Sequence, residues 1–148
     1  MIEPSPTTKI APNLARGVLQ EIIPATATKQ GHAVVRIPNT SYQLHLVSTT
    51  VSAANIGKRV VGMIHAKAKR VDTVGTGGRF IEPVYGRPRR VQGFVVETDP
   101  AKNTITVDAG GAPITCELTD TRQKPGDFAE GQFVGFDVLD GATFEVAG

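Results

Sequence analysis

At 148 residues and 40% hydrophobic composition, the chain has room for one ordinary domain or two very small ones, and most of it should fold. A single cysteine excludes an internal disulfide framework, and no apolar run approaches the roughly 20 residues that span a bilayer. The formal net charge of +2 conceals a polarised chain: residues 15–74 carry eight Lys/Arg against two acidic residues, 75–91 four Arg against one Glu, and 92–148 three basic against ten acidic residues.

Residues 1–14 read as a flexible tail. They hold Pro4, Pro6 and Thr7-Thr8 without an apolar signal-peptide core, so a cytoplasmic location is expected. Strands are predicted over 16–23, stopped by Pro24, and over 32–37, stopped by Pro38-Asn39. A third, over 42–47, sets Tyr42, Leu44 and Leu46 against Gln43, His45 and Val47 on the opposite face. Residues 48–55 are small and polar, fit for a loop or one helical turn. A long fourth strand over 58–71 turns Val60, Gly62, Ile64, Ala66 and Ala68 inward, and these small residues suit strong curvature.

Residues 75–91 form a Gly-, Pro- and Arg-rich connector, in which Phe80, Ile81, Val84 and Tyr85 are apolar enough to pack. Strands over 91–98, 104–108, 114–118 and 132–139 follow. Cys116, between Ile114 and Leu118 on one face, reads as a buried, inert thiol. Asp140-Gly141 reads as a tight hairpin into 142–146.

The chain repeats itself. Gly17 to Gly93 is 76 positions, Leu46 to Leu118 is 72, and Gly57 to Gly131 is 74. This near-constant offset predicts an all-β protein of two tandem small OB-like β-barrels, a basic one over 15–74 and an acidic one over 92–148. Val60 and Val134, Ile64 and Val138, and Ala68 and Ala142 should then be equivalent and point inward. Units of this size are near the lower limit for an independent core, so they should pack together or oligomerise.

The stretches 13–18, 46–52 (Leu46-Val47-Ser48-Thr49-Thr50-Val51-Ser52) and 56–66 carry a further pattern: Asn13 four residues ahead of Gly17, a hydroxyl-rich turn, then Gly57-Lys58-Arg59-Val60. This resembles the OB-type molybdate-binding domain of the molbindins and of molybdate-transporter ATPases, a family in which tandem copies occur. The resemblance spans most of residues 13–71 and survives in 92–146 only as pattern. It implies OB-like barrels and an oxyanion ligand. The family's Lys in its Ile-Lys-Ala motif is His65 here and Leu139 in the second repeat, so no selective stabilisation by molybdate is expected.

The strongest functional signal is cationic. His65, Lys67 and Lys69 alternate on one strand face, and Lys58, Arg59 and Arg70 flank it. Arg79, Arg87, Arg89 and Arg90 follow in the connector. Cations at every second residue track a phosphate backbone, so a non-enzymatic module that binds nucleic acid, DNA or RNA, is expected. Gly86-Arg87-Pro88-Arg89 resembles the core of an AT-hook, with Tyr85 where that motif has Arg. Tyr42, Phe80 and Tyr85 offer stacking surfaces. The alternative is self-association through complementary basic and acidic halves.

No catalytic residues, metal site or cofactor are expected. Gly75-Thr76-Gly77-Gly78 lacks the ending of a phosphate loop. His32, His45 and His65 are scattered, although the last two could meet across neighbouring strands, and a third ligand is missing. The acidic pairs Glu97/Asp99, Glu117/Asp120 and Asp137/Asp140 read as solvated faces or partner contacts.

Overall fold

The computed structural model describes residues 10–48 and 50–147. The protein is all-β. Twelve strands join one mixed sheet: β1 (Ala15–Ile23), β2 (His32–Arg36), β3 (Gln43–Leu46), β4 (Arg59–Ala68), β5 (Asp72–Thr73), β6 (Phe80–Glu82), β7 (Tyr85–Gly86), β8 (Arg90–Asp99), β9 (Thr104–Asp108), β10 (Pro113–Leu118), β11 (Phe133–Asp137) and β12 (Thr143–Val146). A short 3-10 turn, Ala53–Asn55, lies in the small polar segment, where the Ser52 hydroxyl accepts from Ala54 N–H. Of the tail expected over 1–14, residues 1–9 lie outside the described residues. The rest makes a turn closed by Leu14 N–H to Ala11 C=O at 3.0 Å.

The repeat is written in the register. Gly17 pairs with Val60 between β1 and β4, and Gly93 pairs with Val134 between β8 and β11. Leu19 pairs with Val35 and Val95 with Val107, and each ladder has a bulge immediately afterwards, at Gln20 and at Val96. Val35 pairs with Leu44, and Val107 with Ile114. The second landmark needs correction: the residue matched to Leu46 is Cys116, not Leu118, because the β9–β10 connection is two residues shorter. An even change keeps the same face inward, so all three side chains are buried.

The halves are not separate barrels. β4 carries β1 and then β10 along one side, with Gly62 opposite Ala15 and Ile64 opposite Ile114. Along its other side the C-terminal segment runs antiparallel, with Ala68 opposite Val138, His65 opposite Thr143 and Gly62 opposite Val146. Paired neighbours therefore form two five-strand circuits that share β4. One runs β4, β1, β2, β3 and β12, with a single parallel bridge from Val47 to Thr143. The other runs β4, β10, β9, β8 and β11, with the Ala68–Val138 bridge. Each circuit takes a wall from the other half, so 15–74 and 92–148 are not self-contained units.

This exchange explains two further differences. Asp140-Gly141 interrupts a segment running along β4 rather than folding β12 back onto β11. At Val134 and Gly135, β11 already has β8 on one side and β5 on the other, which leaves β12 no edge there. The expected inward residues Val60, Ile64, Ala68, Val134, Val138 and Ala142 are all buried, yet only Val60 and Val134 occupy matching strands. Val138 and Ala142 lie just beyond β11 and just ahead of β12.

One continuous core of buried side chains spans both circuits, with Phe136 and Phe144 the largest of its fully buried members. The connector belongs to the sheet: β6 pairs with β8, β7 runs parallel to β3, and the Gln92 amide holds the loop at Gly78 C=O at 2.9 Å. Ile81 is buried as expected, whereas Val84 and Tyr85 are exposed.

Candidate functional site

The expected cations do not form one stripe. His65 lies in a cavity of about 240 Å³ whose lining includes Asn13, Glu97, Asp99 and Glu117. Lys67 stands opposite Glu117 in the β4–β10 ladder. The acidic half therefore borders the outer face of β4, and this follows from the exchange, which lays β10 beside β4. Lys58 and Lys69 are exposed at the two ends of the strand. Arg59 is half-buried and lines a separate, largely apolar cavity of about 550 Å³ with Arg16.

The arginines meet carboxylates. Arg70 pairs with Asp72 at 3.2 Å, Arg79 with Asp108 at 3.2 Å, Arg87 with Asp140 at 3.6 Å and Arg90 with Asp137 at 3.3 Å. The last three join the connector to the acidic half. All are solvent-accessible, so each contributes about 0–1 kcal/mol and weakens with salt.

A different group of cations converges. The parallel pairing of Gln43 with Tyr85 and Leu44 with Gly86 sets the connector against β3. This makes a groove of about 900 Å³, lined by Lys29, His32 and His45 from the first half and by Tyr85, Arg87, Arg89 and Arg90 from the connector, with the carboxylates of Glu82 and Asp140 among them. The His32 and His45 rings stack with centroids 5.1 Å apart, and Tyr85 meets His45 edge-on at 4.7 Å. His45 thus meets His32 rather than His65. Its Nε2 is buried without a hydrogen-bond partner among the described residues.

Of the expected site, Tyr85, Arg87, Arg89 and Arg90 are gathered here, while Lys58, Arg59, His65, Lys67, Lys69, Arg70 and Arg79 are not among the groove's lining. Lys29, His32 and His45 are additions that sequence reasoning missed, because only the long-range β3–β7 pairing joins them to the connector. Tyr42 is no stacking surface. It is buried, donating through its hydroxyl to Ala109 C=O at 2.9 Å and accepting from Ile81 N–H at 3.1 Å. An unforeseen aromatic pair, Phe94 and Phe133, stacks at 4.8 Å on the outer face, with the Arg79 guanidinium 6.0 Å above Phe94. Its sequence signal was the alternation that turns Gly93 and Val95 inward and Phe94 outward.

No family model, curated protein or solved structure matches this chain. Geometry alone must therefore carry the functional reading. Asn13, which carries the molbindin resemblance, and His65, which stands where that family has Lys, do share a cavity, but its lining holds three carboxylates against the single ammonium of Lys102, a poor balance for an oxyanion. No group of three His, Cys, Asp or Glu poised to hold a metal occurs among the described residues, and no helix there is long and apolar enough to cross a membrane. Cys116 is fully buried, and burial pushes its thiol well above the ordinary range.

Burial lowers the pKa of His45 below 6.5, with His32 and then Arg87 acting the same way and Glu21 opposing. The unfolded chain then binds a proton that the folded chain refuses, so stability rises with pH through the window below 6.5. Thermal melts between pH 7.5 and 5.5 should show the midpoint falling on acidification. His45→Phe should reduce that fall, and an unchanged slope would detach it from His45.

Proposed function

We propose that this chain is a non-enzymatic nucleic-acid-binding module built on a duplicated OB-like unit, and that the β3–β7 groove is where a single strand lies. The observation that carries the reading is the meeting of Lys29, Arg87, Arg89 and Arg90 with the rings of His32, His45 and Tyr85 in one groove. Cations hold phosphates, and an exposed ring offers a face on which any base stacks. The fold reading rests on the matched ladders and bulges of the two halves, each followed round a five-strand circuit.

Fluorescence anisotropy with a labelled oligonucleotide tests it. Affinity should fall with salt by about 0.7 log units per log unit of salt for each phosphate contacted, and replacing Arg87, Arg89 and Arg90 with Ala should flatten that slope by roughly two. Tyr85→Ala should weaken binding by about 1–3 kcal/mol if a base stacks there. Binding weaker than micromolar even at low salt would reject the reading.

A second reading has its own observation. The pairs Arg79–Asp108, Arg87–Asp140 and Arg90–Asp137 join basic connector to acidic half within one molecule. If they serve only as an internal clasp, the same triple variant lowers stability slightly, loses that difference in high salt, and changes nothing in binding.

A further inference from the structure

We propose that the groove contains a receptor for a phosphate monoester, such as the terminal phosphate of a strand or of a free mononucleotide, with His45 distinguishing it from a backbone diester. This rests on the nucleic-acid reading above and narrows it to one point in the groove.

Beside the 900 Å³ groove lies a second cavity of about 300 Å³, and the two share Lys29, His32, His45, Arg87 and Asp140. Four groups able to carry positive charge meet at that junction with one carboxylate. A backbone diester brings one charge and two free oxygens. A monoester brings three free oxygens and a charge approaching −2 at pH 7, its second pKa being about 6. The junction has three kinds of donor for three oxygens: the Arg87 fork, the Lys29 ammonium and the His45 ring.

His45 is the part a diester does not need. Its Nε2 is buried without a partner among the described residues, and its ring stacks on His32 and meets Tyr85 edge-on. A dianion at the junction favours the imidazolium, so binding takes up a proton. The groups that set this balance are Glu21 on β1, His32 on β2, Glu82 on β6, Tyr85 on β7, Arg90 on β8, and Lys29, Arg87, Arg89 and Asp140 in the flanking segments.

Asp140 stands where the anion would sit beside Arg87. Its carboxylate pairs with Arg87 at 3.6 Å while its side chain remains 87% exposed, so an incoming phosphate displaces it into water with little disturbance. It is an internal competitor, absent from the junction's needs once a ligand arrives.

The test compares two 12-mers of one sequence, with and without a 5′-phosphate, alongside adenosine monophosphate and adenosine. The phosphorylated strand should bind about tenfold tighter, the margin should widen from pH 8 to pH 6, and adenosine monophosphate but not adenosine should compete. His45→Phe should erase the margin between the two 12-mers. Asp140→Asn should tighten the phosphorylated strand about threefold. The wild-type comparison needs no variant to fold. A 12-mer that outbinds the mononucleotide assigns the receptor to strand ends, and the opposite order assigns it to mononucleotides. Equal affinity for the two 12-mers overturns the monoester receptor and leaves the strand reading intact. Mononucleotide binding with no strand binding keeps the receptor and ends the strand reading, and absence of all binding ends both.

Discussion

A chain ending at Asp140 should lose its cooperative thermal transition. The cut removes β12, which pairs with β4 from Gly62 to His65 and carries Phe144, fully buried in the common core. Truncating a buried Phe to Ala alone costs about 3–5 kcal/mol, against a total stability of about 5–15 kcal/mol for a typical domain. Loss of the ladder and of the Val47–Thr143 bridge adds to this and leaves β4 with an open edge. A fragment of residues 1–91 should fare no better, since β10 and β12, both neighbours of β4, lie beyond it. Circular dichroism melts check both, and a truncated chain that melts near the full-length midpoint would refute the strand exchange. The acidic half therefore cannot be deleted to free the basic one.

Gly93→Ala should be the most damaging single methyl in the protein. A Cβ there would sit 2.1 Å from the Asp108 carbonyl oxygen and 2.7 Å from its carbon, both backbone atoms of the paired strand β9. Backbone cannot rotate aside, so β8 and β9 must separate at the centre of a circuit. The expected loss is about 3 kcal/mol, the upper range for overpacking, or a fall in Tm of roughly 6–12 °C for a chain of this size. Gly126→Ala is the control. Nothing lies within 4 Å of its added carbon, so it should be neutral or stabilise by roughly 0.4–1 kcal/mol. Equal midpoints for the two variants would remove close approach as the reason for glycine at position 93.

Local pattern was legible where a strand's own residues decide it. The strand predicted over 104–108 is β9 as observed, and alternation along 58–71 correctly turned Val60, Gly62, Ile64, Ala66 and Ala68 inward. The offset of Gly17 to Gly93 holds in the ladders themselves. What alternation leaves open is which strand lies beside which. Asp140-Gly141 has the residues of a hairpin turn, but a turn sets pairing only when the strand before it has a free edge, and β11 has none at Val134. The two-residue strand β5 is too short to show periodicity.

The site suffered from the same gap. Arg87, Arg89 and Arg90 stood out because like charges crowd a short segment, and they do line the groove. Lys29, His32 and His45 are distant in sequence and individually unremarkable in type, and only the pairing of β3 with β7 assembles them. Conversely, Lys67 and His65 looked like a clean cationic stripe because the sequence does not show that Glu117 and Glu97 will lie alongside.

The shared strand also sets a timetable. During synthesis Gly62 leaves the ribosome well before its partner Val146, by an interval on the order of ten seconds at roughly 5–20 residues per second. Through that interval β1 to β4 can pair among themselves, but the far side of β4 has no neighbour from its own chain. The first circuit closes only when β12 is made, so the two halves do not fold one after the other. Synonymous changes that slow translation of residues 92–142 would lengthen the time that edge is exposed, and with it the chance that another nascent copy supplies the missing strand.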